Sequence, residues 1–172
     1  MNELDYNCLE GQPQYISYID PSRDDLQEIF TMLTNTTIPL ISNGTGRAKT
    51  FGSHRCMTLG YITARNTKIF GLSYHTKRNE TLYKSIVEFG KTFVPFEFNA
   101  IHINHNVVCP KHKDSRNINS SCIISMGDYT GCDLIIEGFG EYNTNCRPLV
   151  FDGANSFHYN TPLISGLSLI HI

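Results

Sequence analysis

The sequence predicts an α+β, mainly β fold, a sandwich or jelly roll with its helices toward the N-terminal half. Charged residues are only 17% of the chain, while Gly, Asn, Ser, Thr and Tyr are abundant, a composition of strands and turns. Helical spacing of apolar residues occurs twice, both times before Pro95. After Pro95 the chain breaks into short β-type runs separated by turn residues. Helices first and then a succession of strands favours α+β over a doubly wound sheet.

Taken in order, Tyr15, Ile16, Tyr18 and Ile19 begin a strand, and Ser22 caps a helix carrying Leu26, Ile29, Phe30, Met32 and Leu33, with acids in its first turn. Residues 37–41 form a short β-type run, ended by the flexible Ser42-Asn-Gly-Thr-Gly46. Strands are expected over 57–63 and 67–72. A second helix runs from an Asn79 cap to a Gly90 stop, through Leu82, Tyr83, Ile86, Val87 and Phe89. Further strands are expected over 100–108, 120–126, 134–137, 148–152 and 163–172. The turns between them are Gly127-Asp128, Thr130-Gly131, Gly138-Phe-Gly140 and Asp152-Gly153. No repeat or linker divides the chain. The expectation is one domain over 1–172, in which 1–95 buttress a β core at 96–172.

The formal charge of −2 hides an uneven distribution. Residues 1–30 hold seven acidic side chains against Arg23, a balance of −6, whereas residues 45–91 hold nine Lys or Arg against Glu80 and Glu88, a balance of +7. Solvated surface is the plain explanation of such a moderate excess, and phosphate binding is the alternative. Six cysteines without a signal-like start read as free thiols of a soluble intracellular protein, and no apolar run approaches a membrane span.

The chemistry concentrates in Cys109-Pro-Lys-His112-Lys-Asp114-Ser-Arg-Asn117. In extended backbone His112 and Asp114 project from the same face, so both can turn to one ion. His158, in the segment Phe157-His158-Tyr159-Asn160, is the natural third ligand. Two imidazoles and one carboxylate on one side of a metal suit Fe(II), with the remaining positions open to co-substrate and O₂. Zinc is the rival, because Cys109 and His112 have C-x-x-H spacing and Cys132 or Cys146 could join; no second close pair completes a structural zinc pattern. His102 and His105 point to opposite faces of a strand and make poor joint ligands, whereas His102, Asn104 and Asn106 share one polar face.

Three segments in order, His112-Lys-Asp114-Ser-Arg-Asn117, Gly127-Asp128-Tyr129-Thr130-Gly131-Cys132-Asp-Leu134 and Phe151-Asp152-Gly153, resemble the TET/JBP-like branch of the 2-oxoglutarate and Fe(II) dependent dioxygenases. Cys132 stands where that branch has a second Gly. The resemblance covers about residues 50–172 and implies a double-stranded β-helix, a ferrous centre on His112, Asp114 and His158, and 2-oxoglutarate and O₂ as co-substrates. It implies hydroxylation of a C–H bond, in that branch the methyl group of a pyrimidine in DNA or RNA, with the base flipped or single-stranded. Asn117 either holds the turn after Asp114 or reaches the site, and Asn104 contributes to the co-substrate pocket.

The family commonly clasps the distal carboxylate of 2-oxoglutarate with an Arg two positions before a Ser or Thr on the last strand. Here Ser168 matches the hydroxyl, but Gly166 stands where the Arg would be. Arg147, Arg116 or Lys113 then supplies the charge, or a different co-substrate is used, or the chain is a non-catalytic binding module, with or without iron. A protein side chain or a small molecule is the alternative substrate.

Overall fold

A computed structural model describes residues 12–41, 52–63, 68–118 and 120–166. Strand β1 (Gln14–Tyr15) leads to helix α1 (Asp24–Thr34), the short β2 (Leu40–Ile41), and the long β3 (His54–Thr63). Strand β4 (Phe70–Leu72), helices α2 (Tyr74–Arg78) and α3 (Glu80–Lys91) and strand β5 (Ala100–His105) follow. The second half is short strands: β6 (Ser121–Ile123), β7 (Tyr129–Gly131), β8 (Leu134–Ile136), β9 (Gly140–Tyr142), β10 (Leu149–Phe151), β11 (His158–Asn160) and β12 (Leu163–Gly166). All described strand pairs are antiparallel, in the orders β1-β10-β6, β11-β8-β9, β12-β7 and β2-β3-β4, with β5 on β3.

Both main helices form as expected, but their ends differ. Ser22 does not cap α1: its amide and hydroxyl both donate to Asp20 Oδ1, at 2.9 and 2.8 Å, which leaves Arg23 at the cap position without a side-chain capping bond. Asn79 does not cap α3 through its side chain either, because it donates to the His75 carbonyl and closes α2, a helix the sequence does not announce. Nor does Gly90 stop α3. It lies inside the helix, where a Cβ would stand 2.9 Å from Phe98 Cζ, so close packing explains the glycine.

The faces of β3 and β5 divide the molecule. Alternation sends Met57, Leu59, Ile101 and Ile103 to one side, all but sealed from water. There they join Leu26, Ile29 and Leu33 of α1 and Leu82, Ile86 and Phe89 of α3 in the larger hydrophobic core. Each such side chain contributes about 1.5–3 kcal/mol by leaving water. The opposite face is polar: Thr58 pairs with His102 and Cys56 with Asn104 across the strands. A second cluster, Ile123, Leu134, Ile136, Leu149 and Phe151, holds the short strands together.

Several expectations need correction here. Thr130-Gly131 belongs to β7 rather than to a turn, and β9 and β11 form where the sequence gives no alternating run. Asn106 leaves β5 with φ 54°, so it does not continue the polar face of His102 and Asn104. The end of the expected last strand, with Ser168, lies outside the described residues, as do the 42–46 turn and Cys8.

Candidate metal centre and cleft

Each candidate ligand is fixed by backbone bonds. His112 and His158 face each other as an isolated antiparallel bridge, each amide donating to the other's carbonyl at 3.0 Å. Two residues on, the Asp114 amide donates to the Gly153 carbonyl at 2.8 Å, so His112 to Asp114 is extended and both side chains emerge on one face. The Phe-Asp-Gly motif supplies that acceptor. Gly153 packs so closely on Ser121 that a Cβ would lie 2.8 Å from its hydroxyl. Asp152 takes the amide and the side-chain NH₂ of Asn155, at 3.0 and 2.8 Å, which shapes the loop leading into His158 and holds the Asp152 carboxyl below its usual range.

The imidazole tautomers follow from their neighbours. Nδ1 of His112 stands 2.7 Å from the Pro110 carbonyl, and Nδ1 of His158 stands 3.0 Å from the Ser156 carbonyl. A carbonyl only accepts, so each Nδ1 carries the proton and each Nε2 presents its lone pair. Those two Nε2 atoms lie 3.8 and 3.6 Å from oxygens of Asp114. The three ligand atoms lie within 4.8 Å of one another, the one such cluster of three among the described residues. His158 is buried, its ring edge-on to Phe151 at 5.0 Å, whereas His112 and Asp114 are half-buried toward the cleft. The donor set fits a divalent ion held from one side, with a carbonyl behind each imidazole to orient it. None of the described cysteines belongs to the cluster, although Cys109 lines the cleft.

The triad opens into a cleft of about 810 Å³ between the polar face of β3 and β5 and the short strands. Asn104 and Asn117 both line it. The Asn117 amide donates to the Asp114 carbonyl at 2.8 Å, and its side chain donates to Ser121 Oγ at 2.9 Å, so it closes the turn while standing at the cleft. Of the three cations weighed as carboxylate partners, Arg116 alone lines the cleft. Arg147 does not: its guanidinium stands 5.8 Å from the Tyr18 ring. Lys113 points away from the ligands, 4.5 Å from the Phe157 ring. Sequence reasoning passed over His54, Thr58 and Asn160. His54 and Thr58 line the polar wall, Thr58 with its hydroxyl 2.9 Å from His102 Nδ1. Asn160, buried behind the ligands, accepts from the Cys109 amide and donates to the Cys132 carbonyl. The parity of β3 and β5 could have signalled the first two; nothing local could have signalled Asn160.

No family model matches the chain, and no curated protein matches it in sequence. Solved structures match it in shape. NgTET1 in complex with 5mC DNA aligns with a TM-score of 0.60 over 92% of this chain and 69% of its own, at 12% identity. An oxidoreductase of the 2OG-Fe(II) oxygenase family from Burkholderia pseudomallei aligns with a TM-score of 0.50 over 85% of this chain and 76% of its own, at 15% identity. At these identities the likeness is one of fold: the chain has the mainly β, antiparallel, jelly-roll-like fold of the 2OG-Fe(II) oxygenases.

Proposed function

We propose that the protein is an Fe(II)-dependent oxygenase that uses 2-oxoglutarate and O₂ to hydroxylate a C–H bond. The observation that carries this reading is the convergence of His112, Asp114 and His158 within 4.8 Å, with both imidazoles oriented by carbonyls, at the wall of a cleft. The finer fold is a double-stranded β-helix in which residues 1–172 act as one domain, with the helices as buttress. Iron, when bound, supplies O₂ activation; the net reaction turns R–H, 2-oxoglutarate and O₂ into R–OH, succinate and CO₂.

The chain's own residues do the rest. His112 and His158 would hold the ion through Nε2 and Asp114 through a carboxylate oxygen, beside the cleft. Arg116 takes a carboxylate of the co-substrate, and Asn104 adds a hydrogen bond. The substrate is a pyrimidine methyl group in nucleic acid, the reading favoured by the fold shared with a structure that holds 5mC DNA.

Anaerobic titration with Fe(II) and 2-oxoglutarate tests this directly. A visible charge-transfer band is expected, followed by succinate once O₂ is admitted. His112→Ala and Asp114→Ala are each expected to abolish iron loading with the fold retained, and full retention of iron in both rejects the ligand assignment. Arg116→Ala is expected to weaken 2-oxoglutarate binding by about tenfold or more, from the loss of a charged hydrogen bond of roughly 1.5–3 kcal/mol. Zinc held in preference to iron, in a form that Cys109→Ala weakens, would support the rival metal instead.

A further inference from the structure

We propose that the exposed face formed by β3, β4 and α2 is a docking surface for single-stranded nucleic acid, held by base stacking and phosphate contacts. Tyr61 and Phe70 project from the end of the β3-β4 pair with their rings stacked, centroids 5.6 Å apart and planes at 24°. Leu72, directly across from Tyr61 in the strand pair, is also exposed, as is Tyr74 at the start of α2, and Phe70 and Tyr74 are 60% and 63% exposed. Among the described residues this is a run of large apolar side chains left uncovered within one hairpin and the helix that follows it. Such a face needs a partner.

Charge selects the partner. From Ile29 to Asn79 the sequence carries seven Lys or Arg and no Asp or Glu. Of these, Lys68 adjoins β4, and Lys77 and Arg78 lie on α2. Arg78 sits over the Tyr74 ring at 5.2 Å and donates to its hydroxyl, which fixes one ring face and leaves the aromatic edge beside a cation. Aromatic rings interleaved with cations match a strand of stacked bases joined by phosphates, and they match an apolar protein partner poorly. Helix α2 is anchored to β3, where Ser73 Oγ donates to the Thr58 carbonyl at 2.7 Å and the Gly60 amide donates to Thr76 Oγ1 at 2.6 Å. Beside the patch, the Tyr61 amide donates at 2.7 Å to the carbonyl of Asn99, a cleft-lining residue.

This surface rests on the nucleic-acid side of the proposed function, and a succinate assay separates the two. Labelled single-stranded oligonucleotides, one DNA and one RNA of the same sequence, are titrated against the full chain by fluorescence polarisation. The expected result is binding of at least one of them, weakened about tenfold or more by Tyr61→Ala with Phe70→Ala, since each stacked base contributes roughly 1–3 kcal/mol. Phe70→Leu, which keeps the apolar area, is also expected to weaken binding, and Lys91→Ala, which removes a cation of α3 paired with Glu88, to leave it unchanged. The logarithm of affinity should fall with the logarithm of salt with a slope of about −2, as for three cations on a single strand. Equal binding by the aromatic variants, equal binding of an abasic strand, or a dimer broken by Phe70→Ala in a chain that binds neither oligonucleotide would each overturn the proposal. Succinate formation by a chain that binds neither strand would leave the oxygenase reading in place and remove only this surface.

Discussion

At the scale of single residues, backbone conformation explains one position, and burial with a neighbouring charge explains another. Cys132 adopts φ 60°, the left-handed region that glycine occupies most easily, and it stands where the resembled motif has its second glycine. Its thiol is buried, and burial raises its pKa. Cys132→Gly should therefore be close to neutral in a urea melt, strain relief offsetting lost burial, whereas Cys132→Val should destabilise by about 1–3 kcal/mol. Equal melts would remove the backbone argument. His105 is the other case: it sits directly across from Arg55, and burial, then that guanidinium, lowers its pKa. With the folded value below the ordinary 6.5, the unfolded chain takes up the proton first. Stability should fall as pH drops from the ordinary imidazole range toward the depressed value. His105→Gln should flatten that part of the pH-stability curve, and an unchanged slope would show that other groups set it.

At the scale of elements, β12 explains the missing arginine. Gly166 pairs with Tyr129 of β7 at φ 87°, and a Cβ there would collide with the Asp128 carbonyl oxygen. No side chain fits at this register. Gly166→Arg should therefore unpair β12 from β7 and lower the melting temperature without tightening 2-oxoglutarate binding. Tighter binding in a stable Gly166→Arg protein would reinstate the usual clasp position. The same logic applies to β7 itself. Gly131, at φ 81°, leaves room for the Pro162 carbonyl, so the Gly-Asp-Tyr-Thr-Gly segment is a strand shaped by its contact with β12.

At the scale of the whole molecule, the candidate centre joins segments that share no local structure. His112 comes from an irregular stretch, His158 from a three-residue strand, and their mutual bridge ties the loop after β5 to the strand beside β8. An ion bound there bridges both segments in the folded state alone. Fe(II) added without O₂ at about 100 times its dissociation constant should raise stability by roughly 2.7 kcal/mol by mass action. The shift should be absent in Asp114→Ala, and a shift of equal size there would place the ion elsewhere.

The sequence by itself determined the two main helices, the polar face of His102 and Asn104 on β5, and the extended His112-x-Asp114 pair. Each of these depends on the spacing of neighbours along a few residues. Helix caps, β7, β9 and β11 were not legible, because three-residue strands carry no period and exist only where a partner strand supplies their hydrogen bonds. The tertiary structure alone decided that His158 meets the pair, that Arg116 rather than Arg147 faces the cleft, and that position 166 admits no side chain. Those outcomes depend on which distant backbones lie side by side, and contacts of that range leave no periodic trace in the chain.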